Sequence, residues 1–93
     1  MLENLVAVHL CRIYGRENVS YYKADREIDF VVPDARLAIQ VSYSIKGEET
    51  YERETTPLVN FACKHSDWRC LIITFEEKDI LKKDGVRIEV VPV

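Results

Sequence analysis

Leu37-Ala38-Ile39-Gln40-Val41-Ser42-Tyr43-Ser44 alternates along its whole length. Leu37, Ile39, Val41 and Tyr43 share one face, and Ala38, Gln40, Ser42 and Ser44 share the other. A period of two is the signature of a β-strand, because successive side chains leave a pleated backbone on opposite sides. This stretch predicts a strand over 37–44. Upstream, Glu27-Ile28-Asp29-Phe30-Val31-Val32 reads as another, closed by the turn residues Pro33-Asp34. Val19 to Lys23, rich in tyrosine and valine, reads as a third, and the polar Ala24–Arg26 is of hairpin length. Three strands at short spacing predict an antiparallel meander.

A helix precedes the strands. Leu2, Leu5, Val6, His9, Leu10 and Ile13 recur at helical spacing, and Gly15 stops the pattern, which predicts a helix over 2–14. After the meander, Lys46–Glu54 has fair helical propensity, and Thr56-Pro57 reads as a cap followed by a proline at a helix start. A break or kink near Thr56 is the expectation. Trp68–Phe75 is a continuous apolar run, as in a strand buried on both faces. Glu76–Asp84 is polar and suggests one helical turn at most. Val86–Val91 reads as the last strand. The order is helix, three strands, helix, strand, short element, strand, an α/β (α+β) arrangement with one mixed sheet flanked by helices.

Composition bounds the rest. Ninety-three residues make one domain, 1–93, with 47% hydrophobic and 31% charged residues, which is ordinary for a globular chain and far from disorder. No apolar run reaches the length of a membrane span, and no signal peptide is evident. The net charge of -3 lacks the basic footprint of a dedicated duplex binder. Cys11, Cys63 and Cys70 are odd in number and widely spaced. They read as reduced thiols of a cytoplasmic protein, each in an apolar setting that predicts burial. Cys63 with His65 is too little for a zinc site. His9, on the apolar side of the first helix, reads as a core or core-edge residue. The ends lie directly against a helix and a strand, which suggests a domain of a longer chain.

Two polar residues stand out inside apolar strands. Asp29 sits in Ile28-Asp29-Phe30-Val31, where a carboxylate is costly to bury unless it is paired or binds a cation. Gln40 interrupts the neighbouring strand. If the two strands pair, Asp29 and Gln40 lie on one face. Glu3 flanks the apolar stripe of the first helix. Together they could offer oxygen ligands to a hard cation. Each also has a structural reading. Asp29 could pair with an arginine, Glu3 could favour a helix N-terminus, and Gln40 could satisfy strand polar groups. The charged run 46–54 is most simply a solvated helix face. Tyr21, Tyr22 and Tyr43 could stack on bases, or simply sit in strands.

Leu2-Glu3-Asn4-Leu5-Val6, then Tyr22, Glu27-Ile28-Asp29-Phe30-Val31-Val32 and Ala38-Ile39-Gln40-Val41 together resemble the PD-(D/E)xK restriction-endonuclease-like superfamily. Within it they resemble the domain of unknown function at the C-terminus of many prokaryotic AAA-type ATP-binding proteins. The resemblance covers about 2–43 by motif and the remainder by element order. It implies a restriction-endonuclease-like core in which Glu3, Asp29 and Gln40 match metal ligands for Mg²⁺ or Mn²⁺. It also implies an ATPase domain in the same chain, DNA as a partner, and phosphodiester hydrolysis by metal-activated water. Ser42 stands where that motif places its catalytic lysine, and a hydroxyl supplies neither positive charge nor a base near neutral pH. Lys23 or Lys46 would have to reach in instead. A degenerate nuclease-like module acting on or binding nucleic acid, and a non-catalytic structural or interaction domain, both fit. Homo-oligomerisation is open.

Overall fold

The computed structural model describes residues 2–20 and 28–93. Helix α1 (Leu2–Tyr14) leads to a short 3-10 turn at Arg16–Asn18, then strand β1 (Phe30–Val32), a second 3-10 turn (Pro33–Ala35) and β2 (Leu37–Val41). Helix α2 (Glu48–Lys64) follows, then β3 (Arg69–Thr74), β4 (Asp79–Lys83) and β5 (Val86–Pro92). The five strands form one mixed sheet in the order β1-β2-β3-β5-β4. The two outer pairs, β1–β2 and β4–β5, are antiparallel; β2, β3 and β5 run parallel.

Strand alternation divides the core between the two faces of the sheet. Val6 and Leu10 of α1 pack on Phe30, Val32, Leu37 and Ile39. On the other face, Leu58 and Val59 of α2 pack on Val31, Ala38, Cys70, Ile72, Ile88 and Val90. Phe30, Val32, Ala38, Ile39, Leu58, Ile72, Ile88 and Val90 are each fully shielded from solvent. The α/β class and the mixed sheet flanked by helices are therefore present. Both faces of β1 and β2 are covered, so their residues are buried in succession despite the alternation.

Of the strand expected over 27–32, Phe30–Val32 is regular, Ile28 and Asp29 are not, and Glu27 lies outside the described residues; strand 37–44 ends at Val41. Of the strand expected at Val19–Lys23, Ser20 makes a reciprocal antiparallel backbone bridge to Val31 at 2.9 Å in each direction. Tyr21–Lys23 and the connection at Ala24–Arg26 lie outside the described residues. Only Val6 and Leu10 of the apolar stripe on α1 are buried. His9 is exposed rather than at the core, and Ile13 is 67% exposed, because α1 covers only the β1–β2 side of its face of the sheet. Cys70 is buried as predicted, but Cys63 is exposed on the outer side of α2, and Cys11 is intermediate.

No break occurs at Pro57, and α2 is one helix from Glu48 to Lys64. Proline removes one N–H from the helical ladder. Buried residues lie on both sides of it, Thr55 before and Leu58 and Val59 after, and Leu58 and Val59 pack on the sheet. The Thr55 hydroxyl donates to the Tyr51 carbonyl at 2.7 Å, one turn back.

The stretch 76–84 holds no helical turn. It contains strand β4, joined to β5 by a hairpin in which Asp84 and Gly85 have φ of 52° and 83°. Two central residues with positive φ are what the tight turn matching strand twist requires, and Asp-Gly supplies them at little cost. Among the described residues, no helix is long and apolar enough to cross a membrane.

Candidate functional site

The register sets Phe30 against Ile39, so the residue before β1, Asp29, comes beside Gln40 of β2. The two side chains clasp the strands. The Asp29 amide donates to Gln40 Oε1 at 2.9 Å, and the Val41 amide donates to Asp29 Oδ2 at 2.9 Å. Each side chain thus accepts a backbone N–H from the opposite chain segment, in place of a regular ladder bond where β1 begins. Gln40 is 4% exposed, and its amide oxygen serves the Asp29 backbone. The bond to Asp29 is charge-assisted, which makes it the stronger of the two.

A third acidic side chain belongs to this region, and sequence reasoning missed it. Glu54 lies in α2, and its side chain is 12% exposed, against 64% for its neighbour Arg53. Burial pushes its carboxyl above the ordinary glutamate value. The Asp29 charge pushes it further, and Glu3 adds a smaller push in the same direction. Arg53 opposes the shift, with Nε 3.5 Å from Glu54 Oε2. Glu3, in the first turn of α1, and Asp29 therefore both act on Glu54 electrostatically. The charged run 46–54 is not wholly a solvated face. No sequence signal marks Glu54, because its burial depends on how α2 is rotated over the sheet.

Ser42 follows β2. Its amide donates to the Ile73 carbonyl at 3.0 Å, and its hydroxyl donates to the Ser44 carbonyl at 2.7 Å. It acts as a loop-forming residue. Beyond it, Ser44 Oγ donates to Glu77 Oε2 at 2.5 Å and the Ile45 amide donates to Glu77 Oε1 at 2.9 Å. Those two bonds hold the Glu77 carboxyl below the ordinary range. Glu77 is fixed in turn by Thr74, whose hydroxyl exchanges bonds with the Glu77 backbone N–H and carbonyl, both at 2.9 Å. Tyr43 and Phe75 stack beside this loop, with ring centroids 4.9 Å apart.

The donor set was tested against a divalent cation. Among the described residues, no three His, Cys, Asp or Glu side chains gather into a group that could hold a metal. Gln40 directs its only carbonyl at a backbone amide, and one Asp29 oxygen does the same. The arrangement as it stands does not fit a metal centre, and no chemical step is derived through one. Lys23 lies outside the described residues; Lys46 is exposed, and its backbone amide donates to Ser44 Oγ at 3.0 Å. Chemically, the site is a clasp between two strand segments with a partly buried, proton-hungry glutamate beside it.

No family model, curated protein or solved structure matches this chain in the three comparisons made.

Proposed function

We infer that the chain is a degenerate PD-(D/E)xK nuclease-like module of an ATPase-bearing protein, which keeps the core of a nuclease as a non-hydrolytic binding or structural unit. One observation carries this reading. The Asp29 and Gln40 positions stand side by side on adjacent strand segments, as the motif requires, yet their oxygens accept strand amides. The element order supports it further: a helix on one face, an antiparallel strand pair, then a helix on the other face leading to a parallel strand. Ser42 in place of lysine, bonded into its own loop, agrees with a lost hydrolytic step. The test is incubation with single-stranded, duplex and branched DNA in Mg²⁺ or Mn²⁺, beside Asp29→Ala. The expected result is equal, background cleavage by both. Cleavage by the wild type that Asp29→Ala abolishes would overturn the reading.

A further inference from the structure

Strand β4 closes one side of the sheet, and its outer edge is unpaired among the described residues. Exposed edges template pairing with another chain, and proteins commonly blunt them with lysine. Asp79-Ile80-Leu81-Lys82-Lys83 has two lysines, but also an acid at its other end. Its register against β5 fixes which way each side chain faces. Asp79, Leu81 and Lys83 oppose Val90, Ile88 and Val86 on the α2 side. Ile80 and Lys82 oppose Glu89 and Arg87 on the other face. α1 packs on β1 and β2, away from this end of that face. Ile80 there is 55% exposed.

We propose that β4 pairs antiparallel with β4 of a second copy of this chain, across a two-fold axis at Leu81, joining the two sheets into one. This goes beyond the functional reading above and does not depend on it. The sequence of the strand is self-complementary in this register alone. Asp79 stands opposite the second copy's Lys83, and Lys83 opposite the second copy's Asp79, on the same face. Leu81 meets its own counterpart, extending the apolar layer that Leu81 already joins under α2. On the other face, Ile80 meets the aliphatic stem of the second copy's Lys82. Centring the pair on Lys82 would oppose two lysines, and centring it on Ile80 would leave both lysines unmatched within the strand. A parallel, in-register pairing would set every charge beside its like. Charge therefore selects one register and one partner, as an isologous interface requires.

Lys83 already pairs within its own chain, so in the dimer its ammonium would bridge Glu52 and the second copy's Asp79. Its ammonium is held by Glu52 Oε1 at 2.8 Å and Thr55 Oγ1 at 2.9 Å, and its side chain is 18% exposed. It therefore loses little freedom when it meets a carboxylate.

The experiment is sedimentation velocity over a concentration series on four samples of the 93-residue chain: wild type, Asp79→Lys, Lys83→Glu, and an equimolar mixture of the two variants. Far-UV circular dichroism confirms that each variant is folded. The wild type is expected to dimerise. Each variant opposes two like-charged pairs in its own homodimer, and should dimerise at least about tenfold more weakly. In the mixture, the two reversed charges face each other across the axis, and the unchanged Asp79 of one variant faces the unchanged Lys83 of the other. The mixture should therefore dimerise again. A monomeric wild type, a dimer indifferent to Asp79→Lys, or folded variants that fail to pair when mixed, would each overturn the proposal. Asp79 is exposed and outside the core, so Asp79→Lys carries the test alone if Lys83→Glu disturbs the fold.

Discussion

Asp29 and Gln40 each accept a backbone amide from the other's strand segment, at 2.9 Å in both directions. The pair forms a two-way clasp where regular pairing between β1 and β2 ends. A buried amide or carboxylate is tolerated only when its polar atoms are satisfied, and here each satisfies a backbone group that would otherwise lack a ladder partner. Residues that look like a catalytic pair in sequence are, in the fold, the fastening of a sheet margin.

Removing either half should destabilise the fold. Asp29→Ala strips the Val41 amide of a charged acceptor, and Gln40→Ala leaves the Asp29 amide unsatisfied. Each is expected to cost about 1–3 kcal/mol in urea unfolding. Asp29→Asn keeps an acceptor oxygen and should cost less than Asp29→Ala. The double variant should fall short of the sum, because both substitutions loosen one junction.

Glu54 gives a pH signature. The fold holds its proton more tightly than the unfolded chain does, because burial and the Asp29 charge raise its carboxyl. Stability contributed by this group therefore falls as pH rises, between the ordinary glutamate value and the raised one. Glu54→Gln is expected to raise the melting temperature at neutral pH, with the gain shrinking as pH drops through that window. Thermal melts of both proteins across the acid range measure it.

Glu77 has the opposite sign. The Ile45 amide and the Ser44 hydroxyl hold its carboxyl below the ordinary range. Its contribution is present above the unfolded glutamate value and is lost as pH falls through the lowered one. Glu77→Gln should abolish that acid-side loss. It should also speed hydrogen exchange at the Ile45 amide, which donates to Glu77 Oε1. The exchange rate at that single amide is the readout.

Gly85 sits at φ 83° in the β4–β5 hairpin, and an added Cβ would meet nothing within 4 Å. Gly85→Ala should therefore act through backbone strain alone, costing about 1 kcal/mol. Chemical denaturation checks it, and Gly85→Asn should be milder, because asparagine tolerates a left-handed backbone.

Much of this architecture is legible in the sequence where burial is two-sided. Cys70-Leu71-Ile72-Ile73 reads as a strand because both faces need apolar residues, Val86–Val91 because Val86, Ile88 and Val90 share one face, and Gly15 marks the end of α1. β4 escaped that logic. Only Leu81 of its five residues joins the core, so no periodic pattern forms. The signal was the Asp84-Gly85 turn, which implies a strand before it as well as after. The break expected near Pro57 does not occur, with buried residues on both sides of the one lost helical bond. The pairing of Asp29 with Gln40 could be read from the order of the strands. Glu54 could not be assigned to the same region, because its burial depends on how α2 is rotated over the sheet, which residue spacing alone does not fix.

In this fold the oxygens of Asp29 and Gln40 serve strand amides, which leaves them ill suited to a metal. The most direct measurement is a Mn²⁺ titration of the isotope-labelled chain, followed through paramagnetic broadening of its amide resonances. The Asp29 and Val41 amides should broaden no more than those of exposed acidic residues such as Asp34 and Glu76. Selective broadening centred on Asp29, Val41 and Glu54, abolished by Asp29→Asn, would contradict it.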